Sequence, residues 1–248
     1  MSDLIGAELL KLRTIRVFWG YVLVGLALVP LTIALTMTTA GEAGPTLAGS
    51  EGVRNVLSAA SSAALILLLL GVMVVAGEVH HGTLTSTFLV RADRTRVVAA
   101  KVAATSVVAV VTACAASALA LAVGLPWLAL RGVDVGAYGS AIGLAVLGAL
   151  AATTLSAVIG VGIGALVRNQ NVAVTGVLVW TVGIETLLVT FVPEIGRWLP
   201  GGASSALTGV ATPERGLLAG WAGALVLAAY ATAFVAAGAR VLVRRDVG

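Results

Sequence analysis

The sequence predicts an all-α integral membrane fold with six transmembrane helices and a short amphipathic surface helix ahead of them. Three observations carry this. Of the 248 residues, 59% are hydrophobic and only 10% are charged, whereas about a quarter of residues in soluble domains are charged. A hydrocarbon core of roughly 30 Å needs about 20 apolar residues per helix. Six such runs lie at approximately 17–37, 57–77, 98–124, 138–166, 171–192 and 217–239. Lastly, the basic residues sort to one side. With six spans and an inner N-terminus, Lys11, Arg13, Arg16, Arg91, Arg94, Arg96, Lys101, Arg168, Arg240, Arg244 and Arg245 fall inside, and Arg54, Arg131, Arg197 and Arg215 outside. Eleven against four follows the positive-inside bias and puts both termini in the cytoplasm. Six spans leave no room for a soluble domain, so residues 1–248 read as one polytopic membrane domain.

Residues 2–16 place Ile5, Leu9 and Leu12 on one helical face, with Glu8, Lys11, Arg13 and Arg16 between them. This pattern predicts a helix lying on the inner membrane surface, with Ser2 or Asp3 as its cap. Phe18, Trp19 and Tyr21 mark the aromatic belt where the first span starts, and Pro30 predicts a kink within it. That span is too long for the roughly 7–15 apolar residues of a signal peptide, so it is expected to be retained. Residues 39–56, rich in Gly, Ser, Thr and Pro, predict a flexible outer loop. Asp93 is the expected cap of the third helix and Pro126-Trp127 its outer end; 131–138 is a short outer turn.

The fourth span carries two GxxxG pairs, Gly139/Gly143 and Gly160/Gly164, a spacing that lets helix backbones approach closely. The very short turn Arg168-Asn169-Gln170-Asn171 predicts that the fourth and fifth spans are antiparallel neighbours. After Val192, the stretch to 211 is too apolar for a free loop and too broken by Pro and Gly for a span. It predicts a re-entrant or surface-packed hairpin. Cys114 is the single cysteine, so no intramolecular disulfide forms, and it reads as a small buried apolar side chain.

Several chemistries are excluded. There is no G-x-x-x-x-G-K-[ST], and neither lysine follows a glycine, so nucleotide hydrolysis has to come from another polypeptide. The histidines are His80 and His81 alone; neighbouring helical side chains point about 100° apart, so they do not converge on a metal. No H-E-x-x-H pair exists. The basic residues are scattered among spans and form no nucleic-acid face.

The chemistry-bearing residues concentrate in the polar segment between the second and third spans, Glu78-Val79-His80-His81-Gly82-Thr83-Leu84, followed by Phe88, Leu89 and a basic patch. Thr83 can cap a short helix with Leu84, Phe88 and Leu89 on one face. Two readings stand: a docking helix for a soluble partner, or an ordinary polar loop with a basic anchor. Here the residues carry a resemblance. Glu78, His80 or His81, Gly82, Thr83, Leu84, Arg94 and Lys101 resemble the first cytoplasmic loop of the type-2 permease subunits of ATP-binding-cassette transporters. Glu8, Lys11, Thr14, Arg16 and Trp19 resemble that family's leading surface helix, and Leu199-Pro200-Gly201-Gly202-Ala203-Ser204 its last outer loop. Arg91-Ala92-Asp93 departs from the family where many members have a proline.

The resemblance implies a non-enzymatic exporter subunit that pairs with a second permease copy or paralogue. It couples through the 78–90 helix to a cytoplasmic ATPase subunit, which holds ATP and magnesium; this chain binds no cofactor itself. Abundant Ala, Val, Gly and Arg fit a GC-rich bacterial genome and a plasma-membrane location. Glu185 is the one ionisable residue deep inside a span, where a charge is costly and by default functional. It either faces a pathway or is a hydrogen-bonded structural group. A rival function, a stand-alone proton-coupled secondary transporter with Glu185 as carrier, predicts paired intramembrane charges and an inverted repeat. The sequence shows one charge and no clear repeat. Nothing in it specifies the cargo.

Overall fold

The computed structural model describes residues 2–40, 47, 49–80, 94–167, 169–209 and 218–244, and among these there is no strand. Six helical stretches are long and apolar enough to cross a membrane: Arg16–Thr39, Gly49–Val79, Thr95–Leu130, Val135–Leu166, Gln170–Phe191 and Gly220–Leu242. Helix α1 (Ser2–Thr14) turns at the extended residue Ile15 into α2 (Arg16–Thr39), the first span. The Trp19 indole N–H donates to the Arg13 carbonyl at 3.0 Å, closing one of the open carbonyls at the end of α1. Pro30 lies inside α2, which continues through it.

The second span starts earlier than its hydropathy predicts. Residues 49–57, expected in a flexible loop, form α3 (Gly49–Leu57), joined by a 3₁₀ turn (Ser58–Ser62) to α4 (Ala63–His80). Burial of Val53, Asn55 and Val56 holds it against the bundle. Two glycines permit the turn into it: Gly49 has φ +64°, and a Cβ on Gly52 would sit 2.2 Å from the Leu47 carbonyl.

The third span, α5 (Arg94–Leu130), passes through Pro126 instead of ending there. Its buried alanines, Ala109, Ala113, Ala116 and Ala120, keep it close to its neighbours. Cys114 faces outward and is exposed, contrary to the buried position expected; small apolar side chains are as stable against lipid as in the core, so composition could not place it.

The fourth span, α6 (Gly139–Leu166), is the hub, packed on α4, on α5 and on the last helix, α11 (Gly220–Arg244). One of the two GxxxG pairs makes an interface. A Cβ on Gly160 would lie 2.0 Å from the Leu68 carbonyl oxygen and one on Gly164 2.5 Å from that of Val72; Gly71 answers from the other side, 2.2 Å from the Ala157 oxygen. Gly139 and Gly143 meet nothing within 4 Å. Gly162 and Gly238 repeat the device between α6 and α11.

The fifth span comprises α7 (Gln170–Leu178), a π-helical segment (Val179–Glu185) and α8 (Thr186–Phe191). Asn169 caps it, its side-chain oxygen accepting from the Asn171 N–H at 2.9 Å. The short turn predicts a neighbour of α6, yet α7 packs chiefly on α4 and barely touches α6. The two best faces of α6 are already filled by α4 and α11, so the fifth span is displaced onto α4. Then come α9 (Pro193–Gly196) and α10 (Pro200–Thr208), the predicted hairpin, folded back on α6 and α11. Close approach again depends on glycine: Gly148 abuts the Leu207 carbonyl and Gly223 that of Ala203.

Candidate functional site

Two polar sites interrupt the apolar bundle, at opposite ends of α4. The first joins three helices that are distant in sequence. Lys101 of α5 is 1% exposed, a severe position for an ammonium. Its Nζ donates to Glu8 Oε2 of α1 at 2.8 Å and to Glu78 Oε1 of α4 at 2.6 Å. Lys11, one turn beyond Glu8 on α1, also donates to Glu78 Oε1. Two carboxylates and two ammonium groups thus balance in charge. Breaking a buried pair by removing one partner costs about 3–5 kcal/mol, so this cluster fixes α1 against the bundle.

Of the residues the sequence singled out, Glu8, Lys11 and Glu78 come together here. Arg13 and Arg16 are exposed and take no part. Glu8 corrects the surface reading: it is buried, on the same face as Leu12, because it answers Lys101. His80 closes α4; His81, Gly82, Thr83, Leu84, Phe88 and Leu89 lie outside the described residues, as does Asp93. Lys101 is the residue that sequence reasoning misplaced, by counting it with the loop anchors. The signal was its position inside the apolar run 98–124, where a lysine requires an acidic partner.

The second site surrounds Glu185, which ends the π segment and is 4% exposed. Its Oε1 accepts from the backbone N–H of Gly201, in the first turn of α10. The Leu199-Pro200-Gly201-Gly202 run makes this possible. Pro200 occupies the first helical position, where an N–H would have no partner in any case. A Cβ on Gly201 would crowd the Glu185 carboxyl at 3.0–3.1 Å, and one on Gly202 would strike the Gly196 carbonyl at 2.1 Å. Leu199 gives α10 no side-chain cap, so the Glu185 carboxyl serves the open N–H and faces the positive end of the helix dipole. Beside it opens a cleft of about 510 Å³ between α4, α8 and α10, lined with hydroxyls from Ser61, Ser62, Ser156, Thr181, Ser204 and Ser205. No cluster of three or more metal-ligating side chains occurs among the described residues.

A six-span helical membrane domain with a charged cluster at the root of its polar segment is the setting for the comparison with known families. Residues 4–192, well over half of the chain, match the sequence model of the ABC-2 family transporter proteins. The chain belongs to this family. No curated protein matches it. As an ABC-2 permease subunit it is a multi-pass membrane protein of a transporter whose family works with a separate ATP-binding subunit. The match to the ABC-2 model ends as the fifth span ends, so the α9–α10 hairpin and α11 lie beyond it.

Proposed function

We propose that this ABC-2 subunit is the permease half of an exporter in a bacterial plasma membrane, with both termini cytoplasmic. It works as a dimer with a second copy or a paralogue, and ATP is hydrolysed on a cytoplasmic partner subunit. The observation that carries the coupling role is the clamp made by Lys101 on Glu8 and Glu78. Glu78 lies at the end of α4 and Lys101 in the first turns of α5, so the cluster ties together both roots of the segment 81–93. A force on that segment therefore passes at once into α1, α4 and α5. In this reading Gly82–Leu89 is the coupling helix, with Leu84, Phe88 and Leu89 seated in the ATPase and α1 lying along the inner surface. Toward the other face, the hydroxyl-lined cleft beside Glu185 forms part of the substrate path, since it offers polar partners at membrane depth.

The test is a pull-down with the ATPase subunit. Phe88→Asp buries an unpaired charge in the partner's cleft and should abolish ATPase retention and substrate-stimulated hydrolysis while the permease stays folded and inserted. Retention equal to wild type would refute the docking assignment.

A further inference from the structure

At the α1 end of the membrane region lies a cavity of about 460 Å³, within the roughly 300–1,000 Å³ of small-ligand sites. Three helices line it with the same spacing. Residues Glu8, Lys11, Leu12 and Ile15 descend from the α1 side, and Leu70, Met73, Val74 and Gly77 form one stripe of α4. Val17, Phe18 and Tyr21 of α2 complete the wall. The body of the cavity is apolar, and its polar groups gather where α1 crosses the ends of α4 and α7. Ile15 and Val17, at its edge, are exposed large apolar side chains at the start of the first span.

Two details of the polar end define an occupant. The side-chain oxygen of Gln170 is buried and finds no donor among the described residues; a buried acceptor left unpaired is costly. It lies at the Gly77 stripe, 3.6 Å from where a Cβ on Gly77 would stand. Lys11, whose side chain is 38% exposed, has one N–H on Glu78 and others to offer. The cavity therefore presents one acceptor in want of a donor and one donor in want of an acceptor, at the mouth of an apolar slot. The surrounding charges, Glu8, Glu78, Lys11 and Lys101, already balance, which favours a ligand without net charge.

We propose that this cavity holds one phospholipid whose headgroup ends in a primary ammonium. An acyl chain lies between α2 and α4, the phosphate accepts from Lys11, and the ammonium donates to the Gln170 oxygen. A choline headgroup has no N–H to give, and a glycerol headgroup leaves the phosphate's negative charge uncompensated beside two carboxylates. The lipid would wedge α1 against the bundle next to the ion cluster, so this site is distinct from the cleft at Glu185 and independent of the transport reading.

The experiment is thermal unfolding of the delipidated full chain in detergent, titrated separately with dioleoyl phosphatidylethanolamine, phosphatidylcholine and phosphatidylglycerol. The ethanolamine lipid should stabilise at a concentration about fivefold below the other two, the factor expected of one added hydrogen bond. Gln170→Leu should erase that preference while leaving the lipid-free transition in place. Met73→Trp, which fills the slot, should remove the response to the ethanolamine lipid. Equal half-saturation by all three lipids in the wild-type protein overturns the assignment without any variant, as does a preference that persists in Gln170→Leu.

Discussion

Lys101→Met keeps the length of the side chain and removes its charge, leaving Glu8 and Glu78 buried and facing one another. The loss of about 3–5 kcal/mol expected for a broken buried pair should collapse the yield of folded protein in detergent. The triple change Lys101→Met, Glu8→Gln and Glu78→Gln removes the stranded charges and should recover much of it. Monodispersity by size-exclusion chromatography reads both, and a triple variant no better than the single one would contradict the clamp. Glu185 calls for a different pair of variants. Gln retains an oxygen for the Gly201 N–H, whereas Leu forfeits it, a cost of about 1–3 kcal/mol. Glu185→Gln should assemble like wild type but change transport rate or selectivity, and Glu185→Leu should assemble poorly. A transport-silent Gln variant would make Glu185 purely structural and take it out of the path. Glu185 was legible from the sequence because a lone acid in a span is conspicuous. Its partner was not, since a backbone N–H from a helix fifteen residues further on carries no side-chain signal.

Among the elements, α6 shows how glycine decides packing. Gly160→Val places atoms where the Leu68 carbonyl stands and should separate α4 from α6, lowering the thermal transition sharply. Gly139→Ala and Gly143→Ala, in open space, should be neutral or slightly stabilising through helix propensity. Matching losses at Gly139 and Gly160 would show that the contact map of α6 is wrong. The same motif therefore has two outcomes in one helix, and spacing alone does not separate them; what does is whether a partner helix is present at that height. Span existence and approximate limits were legible because hydropathy reports the solvent directly. The placement of α3 and of the fifth span was not, because both depend on which faces of neighbouring helices are still free.

For the whole molecule, the charge bias makes a directional claim. In a Cys114→Ser background, Ser50→Cys and Arg131→Cys should react with a membrane-impermeant maleimide from outside intact cells, and Arg91→Cys and Arg245→Cys only after permeabilisation. External labelling of position 245 would remove a span and reverse half of the orientation argument. The six-span count and the family were both readable from the chain, since composition and the Glu78–Lys101 region are local in sequence. The joining of Glu8 to Lys101, two helices apart, emerges only when the bundle closes.

The π segment Val179–Glu185 has a consequence for length. Its wider turns are sealed at the side-chain level too: the Thr186 hydroxyl donates to the Thr181 carbonyl, five residues back, at 3.1 Å. A helix advances about 100° per residue, so the extra residues set the rotational phase of everything beyond them. Excising Val182, an exposed residue whose replacement by another apolar side chain disturbs little, would let the turns tighten. Glu185 and α8 would swing by about a quarter of a revolution, and the carboxyl would miss the Gly201 N–H. The fifth span is thus forgiving in its letters and strict in its count.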